Sequence, residues 1–274
     1  MSSIISIAAH RDARHSDNCT RWSILSVEIE MTTLQPETTV AEIAAESLAA
    51  IGVFERLGID YCCGGRVNFI DACQKAGVDP DIVKRDLEAL LDAGTLGETD
   101  YAAKTLSELI DHILDTHHRF TYTELDRLQP LMDKVNRVHG DVHPELAKMS
   151  DLLDAMRDDL LPHMYKEEQV LFPYIKDLEY AKLNGLTPRY PPFGTVQHPI
   201  RMMMGEHDAV GDMLKEMRSL SGNFAVPVGA CPSYQGLLTR LEELERDLHQ
   251  HIHLENNVLF PRAAEMEAAA FRSH

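Results

Sequence analysis

Apolar residues recur along the chain at three- and four-residue steps, in blocks separated by glycine, proline and polar turns. That spacing predicts helices. The first block opens at Thr39-Val-Ala-Glu42, a capping box ahead of Ile43, Leu48, Ile51 and Phe54, and stops near Gly58. A short helix through Phe69, Ile70 and Cys73 follows. Asp79-Pro80 then starts another, which carries Ile82, Val83, Leu87, Leu90 and Leu91 towards Gly94. These helices make a small domain over 35–94, and the glycine-containing polar stretch 95–104 reads as a linker.

A second capping box, Thr105-Leu-Ser-Glu108, opens a larger domain expected over 105–270. Apolar residues at 106, 109, 110, 113, 114, 125, 128 and 131 mark its first helix. The second runs from about Pro144 to about Leu178 through Leu152, Met156, Leu160, His163 and Val170, with kinks or an end at Pro162 and Pro173. The stretch Asn184–Gly194 cannot be helix and divides the domain. The third helix, roughly 198–221, bears Met203, His207, Val210, Leu214 and Met217. The fourth begins near Ser233 and carries Leu237, Leu241, Leu244, Leu248, His251 and Glu255 to an end at Leu259-Phe260-Pro261. The expected fold is all-α: an up-and-down four-helix bundle preceded by a small helical domain. Residues 1–34 show no sustained period and read as a disordered extension. Within it, Met31 opens a stretch with the character of an ordinary protein start.

The bundle carries an internal repeat. His163-Met-Tyr-Lys-Glu167-Glu-Gln-Val-Leu-Phe-Pro173 returns as His251-Ile-His-Leu-Glu255-Asn-Asn-Val-Leu-Phe-Pro261, offset by 88 residues (251 − 163). A histidine and a glutamate four apart share a helical face, roughly 6 Å apart at Cβ. Each copy is preceded by a helix with one matched histidine, His118 in the first unit and His207 in the second. Four imidazoles and two carboxylates suit iron or manganese rather than a thiolate-bound metal. Burying such groups without a cation is costly, which argues against the bland reading of histidines on amphipathic helices. Sharing both glutamates between two irons would give each ion two imidazoles and two carboxylate oxygens; an oxo or hydroxo bridge would leave an open position for O2, NO or peroxide. The apolar stripe alone points to His117 rather than His118. In His249-Gln-His251-Ile-His253 only His251 stands four before a glutamate of the repeat, so His249 and His253 are expected to project elsewhere.

Composition narrows the class. The chain has 274 residues, 44% hydrophobic and 6% aromatic, with a net charge of −18. That acidity argues against nucleic acid and against an anionic membrane face. The five cysteines form no spaced framework and read as reduced thiols, which suits the cytoplasm. No apolar run approaches membrane length, and Ile4–Ala9 is too short for a secretory core. The adjacent Cys62 and Cys63, before Gly64 and Gly65, suggest thiolates presented from a turn whose glycines permit positive φ. Their candidate role is to accept iron from the bundle or pass electrons to it. Cys73 and Cys231 are singletons with the character of core residues.

With Asp60-Tyr-Cys-Cys-Gly-Gly65, His163-x-x-x-Glu167, Gly205-Glu-His207-Asp208 and His251-x-x-x-Glu255-Asn-Asn-Val-Leu-Phe-Pro261 in view, the chain resembles the iron-sulfur cluster repair proteins. These are hemerythrin-like di-iron proteins, also called regulators of cell morphogenesis and NO signalling. The resemblance covers about 35–265. It implies His118, His163, Glu167, His207, His251 and Glu255 as ligands of two iron ions, and so selects His118 over His117. It further implies a cytoplasmic, often dimeric protein that restores clusters damaged by oxidative or nitrosative stress. Iron donation to damaged iron-sulfur proteins and NO removal by reduction are the two chemistries implied. A di-iron sensor of O2 or NO without turnover is the alternative. Oxygen-carrying hemerythrins are less similar: Gly211 and Asn256 stand where further ligands would be expected.

Overall fold

The computed structural model describes residues 37–92, 101 and 103–272. The expected extension 1–34, with Cys19 and Met31, and most of the linker lie outside the described residues. Four short helices open the chain: α1 Val40–Glu46, α2 Leu48–Leu57, α3 Phe69–Ala76 and α4 Pro80–Asp92. The Thr39/Glu42 capping box forms, with the Thr39 hydroxyl accepting from the Glu42 amide and the Glu42 carboxylate accepting from the Thr39 amide. Gly58 and Gly77 end α2 and α3 in the left-handed conformation that a side chain would disfavour. Val40, Ala44, Ile51, Phe54, Phe69, Cys73, Val83 and Leu87 are buried, whereas Ile82, expected on the apolar stripe, is exposed.

Four rods build the remainder. The first is α5 Leu106–His112, the π-turn Ile113–His118 and α6 Arg119–His139; the second is α7 Glu145–Lys166, the π-turn Glu167–Leu171 and α8 Phe172–Leu183. The third is one uninterrupted helix, α9 Gln197–Leu220. The fourth is α10 Pro232–His253, the π-turn Leu254–Leu259 and α11 Phe260–Arg272. Neighbours in the chain are neighbours in space, since α6 packs on α7, α7 on α9 and α9 on α10, and α10 closes the ring on α6. This is an up-and-down four-helix bundle.

Three expectations need correcting. The fourth rod does not stop at Pro261 but runs on to Arg272, because a proline in the first turn of α11 removes only an N–H that the π-turn leaves unpaired. Pro162 lies inside α7 and Pro173 in the first turn of α8, so neither ends the second rod, which reaches Leu183. Val170 is 47% exposed; the extra residue of the π-turn rotates it outwards and brings Leu171 and Phe172 inwards.

Two apolar layers fill the bundle. One, towards the α6–α7 turn, gathers Leu128, Met132, Met149, Leu153, Met156, Leu214, Leu237 and Leu241. The other gathers Leu106, Ile110, Ile113, Ile175, Val196, Met203 and Leu259. The His-x-x-x-Glu pairs of the repeat sit at the level between them.

Candidate metal centre

Between these layers His118, His163, Glu167, His207, His251 and Glu255 are all buried to 1% exposure or less. The π-turns help to bring them there. Phe172 N–H donates to the carbonyl of Glu167, five residues back, and Phe260 N–H does the same to Glu255. Such widened turns re-aim side chains and recur at functional sites. Nothing in the residue pattern announces them, and the sequence reading missed all three.

The six side chains fall into two overlapping groups whose candidate donor atoms lie within 4.8 Å of one another: His118 with His251, and His163 with His207, both sharing Glu167 and Glu255. His163 Nε2 is 3.3 Å from Glu167 Oε2, and His118 Nε2 is 3.5 Å from the same atom. Across the centre, His207 Nε2 stands 3.1 Å from Glu255 Oε2, and His251 Nε2 stands 3.0 Å from Glu255 Oε1. The rings of Phe172 and Phe260, again 88 apart, lie against His118 and His207 and close the site sideways.

The donor set fits a pair of cations. Both oxygens of Glu167, Glu255 Oε2 and His118 Nε2 are buried without a hydrogen-bond partner. Orphaned acceptors of this kind are expensive unless something positive meets them. Without metal, protons supply the charge. Burial alone would lower His118, but the Glu167 and Glu255 carboxylates outweigh it and push its pKa up to about 10. His163 is likewise desolvated, yet Glu167 and Glu255 raise it to about 9. Burial would raise Glu255, and three imidazoles, His251 foremost with His118 and His207, hold it well below the usual carboxylate range instead.

Three of the four imidazoles are braced from behind. Glu168 Oε1 accepts from His118 Nδ1 at 2.9 Å, and Glu206 Oε2 accepts from His163 Nδ1 at 2.8 Å. Asn256 Oδ1 accepts from His207 Nδ1 at 2.9 Å. Such partners fix the ring and its tautomer. Sequence reasoning left these acceptors unassigned, although Glu168 and Asn256 are themselves an 88-residue pair.

Of the neighbouring histidines, His117 is buried beside the centre but turns its Nδ1 to Asp247, 3.0 Å away, and belongs to neither group. His249 and His253 point away, towards the ring of Tyr61.

The cysteine pair lies on the outer side of α9. Cys63 Sγ is 3.8 Å from Cys62 Sγ and 3.8 Å from the carbonyl of His207. A Cβ on Gly211 would stand 3.2 Å from Cys63 Sγ, so that glycine is where the turn nestles against the helix. Asp60 Oδ1 gathers the amides of Cys63 and Gly64, and Asn257 Nδ2 donates to the carbonyls of Tyr61 and Cys62. The glycines of the turn do not take positive φ, contrary to expectation. Gly65 is needed for closeness, since a Cβ there would meet the Tyr61 carbonyl oxygen at 2.2 Å. The contact with Cys63 and burial both push the Cys62 thiol well above its ordinary value, so Cys62 is held protonated. A cleft of about 790 Å³ opens beside the pair, lined by Asp60, Gly211, Lys215, Arg218 and His249. Cys231 is not a core residue: it is half-buried at the start of α10 with its Sγ 3.1 Å from His139 Nε2.

The hemerythrin HHE cation binding domain matches residues 109–263, and a domain of unknown function, DUF542 or ScdA_N, matches 36–91. The iron-sulfur cluster repair protein YtfE of Yersinia pseudotuberculosis serotype O:1b is 36% identical over 214 residues, covering 78% of this chain and 90% of the relative. That of Yersinia pestis (strain Pestoides F) is similar to the same extent.

Proposed function

The chain belongs to the iron-sulfur cluster repair proteins of the hemerythrin HHE family, and from that membership we propose that it repairs iron-sulfur clusters damaged by oxidative and nitrosative stress, using a non-haem di-iron centre. The observation that carries the reading is the convergence of four buried imidazoles on two buried carboxylates whose oxygens lack other partners.

His118 and His251 would hold one ion, His163 and His207 the other, and Glu167 and Glu255 would bridge them. When bound, the irons supply redox change and positions at which NO, O2 or a peroxide can add. The chain's own residues do the rest. Glu168, Glu206 and Asn256 orient the imidazoles, Phe172 and Phe260 limit water, and the two glutamates offset the ions' charge. That Cys63 lies against the backbone of a ligand-bearing helix and beside an open cleft supports a role in passing iron or electrons between the centre and a damaged client, with Cys62 as its neighbour. Among the described residues no helix is long and apolar enough to cross a membrane. The reading includes a cytoplasmic homodimer, a property carried by the resemblance and checked by light scattering, where a monomer mass would discard it.

The test is metal content and the visible spectrum of anaerobically purified protein, before and after mixing with an iron-depleted cluster enzyme. Iron moving to the client with recovery of its activity is the expected result. Iron that stays bound while NO or O2 alters the spectrum would replace repair with sensing, and protein that takes up no iron would end the reading.

A further inference from the structure

The repeat relates the two halves of the centre by an approximate two-fold, and at one point the relation fails. In the first unit His163 is braced by Glu206, the residue just before His207. The symmetric partner of His163 is His251, and the residue just before His118 is His117. The ring of His117 does lie where that brace belongs: it stacks on His251 at 5.7 Å between centroids, 4° from parallel. It does not do the same work: its Nδ1 is committed to Asp247, and no hydrogen bond joins it to His251. His251 Nδ1 is accordingly buried with no partner at all, alone among the Nδ1 atoms of the four imidazoles.

We infer that the two metal positions are unequal, and that the ion held by His118 and His251 is bound more weakly and leaves first. This rests on the metal assignment proposed above. An imidazole that binds through Nε2 carries its proton on Nδ1. At His163 that proton is received by a carboxylate, itself tied to Lys166, and the ring becomes a better donor to metal. At His251 the same N–H stays buried and unpaired, and the ring gains nothing. Loss of such a partner lowers metal affinity by about 10- to 100-fold. Counting both imidazoles of each position, the His163/His207 pair has two acceptors behind it and the His118/His251 pair has one. Glu167 and Glu255 are common to both positions and cannot make the difference. His117 is thus a positioning residue whose identity sets which ion is released.

The experiment is chelator-driven metal release followed on the full chain loaded anaerobically with Fe(II), and in parallel with Co(II), whose absorption reports its ligands. Two phases of equal amplitude are expected, separated by about 10-fold or more in rate. His117→Gln can both donate to Asp247 and accept from His251 Nδ1, and should slow the fast phase by about 10-fold while leaving the slow one in place. Glu206→Ala, which removes the acceptor at a partly exposed residue, should speed the slow phase and spare the fast one. Far-ultraviolet circular dichroism checks that each variant keeps its helices; if His117→Gln does not, Glu206→Ala decides. Release of both ions in a single phase, or a fast phase that His117→Gln leaves unchanged in a folded protein, overturns the inference while leaving the metal assignment standing. Failure of the wild-type chain to bind metal overturns both.

Discussion

Glu179 and Glu267 stand 88 residues apart (267 − 179) and perform the same task at opposite ends of the repeat. Glu179 accepts from the amides of Leu106 and Ser107 at 2.8 and 2.9 Å, where α5 begins. Glu267 accepts from the amide of Val196 at 2.9 and 3.0 Å, where α9 begins, and from the Thr195 hydroxyl. Each unit therefore ties its last helix to the start of a ligand-bearing rod, at amides that an α-helix leaves unpaired. Glu179→Ala and Glu267→Ala should each cost about 1–3 kcal/mol, through buried N–H groups left unsatisfied. Urea unfolding of the metal-free protein measures the loss, and a midpoint unchanged in both variants would mean that water replaces the carboxylates.

Glu167→Ala and Glu255→Ala should each abolish most metal binding, because each carboxylate serves both donor groups. Mass-spectrometric metal analysis of the purified variants is the check. Wild-type iron content in either variant would refute the bridging role.

The metal-free protein should be most stable near pH 6.5 and should lose stability steadily as pH rises from there towards 10. His118 and His163 have folded values raised to about 10 and about 9, so their contribution is full below the unfolded value of 6.5 and is lost as pH rises through 9 and 10. Glu167 and Glu255 are lowered, so theirs is present above the unfolded value of 4.5 and disappears as pH falls through their folded values. His251 is lowered by burial and His253, also desolvated, falls to about 4; both oppose folding as pH drops below 6.5. A denaturant midpoint that keeps rising beyond pH 10 would contradict the assignment. Metal must displace the protons on His118 and His163, so apparent Mn(II) affinity should increase with pH over the same alkaline range.

The thiols should react in a definite order. His139 donates towards Cys231 and, with the backbone amides at the start of α10, lowers its value to about 7, whereas Cys62 is buried and held protonated. Iodoacetamide at neutral pH, followed by peptide mass spectrometry, should therefore label Cys231 well before Cys62. His139→Ala should slow Cys231, and Asn257→Ala, by releasing the Tyr61 and Cys62 carbonyls, should speed Cys62. Equal labelling of Cys62 and Cys231 in the wild-type protein would count against this description of the turn.

The legible part of the molecule was the part written in periodicity and repetition. Thr39/Glu42 and Thr105/Glu108 marked helix starts that form as capping boxes, because both partners lie within one turn. The 88-residue repeat placed two glutamates and two of the histidines, since His-x-x-x-Glu is a local relation; His207 stood out as the matched histidine of the preceding helix, but the choice of His118 over His117 needed the family. What stayed hidden depends on partners distant in sequence: Glu206 behind His163, Asp247 beside His117, and the Cys63 turn against the carbonyl of His207. Val170 was misplaced for a different reason. A helical wheel assumes one period throughout, and the π-turn at Glu167–Leu171 changes the phase partway along the rod.

That phase change makes the ligand level a joint. One surplus residue turns everything beyond it by about 100° relative to a continuous α-helix, so the apolar faces of α6, α7 and α10 are set independently of those of α5, α8 and α11. The two ends of the barrel-like core can accumulate substitutions separately, each keeping its own packing, while the plane between them retains its six donors. Deleting a single residue from one π-turn would reverse the relation: both ends would keep their composition, but one would face its apolar side to water.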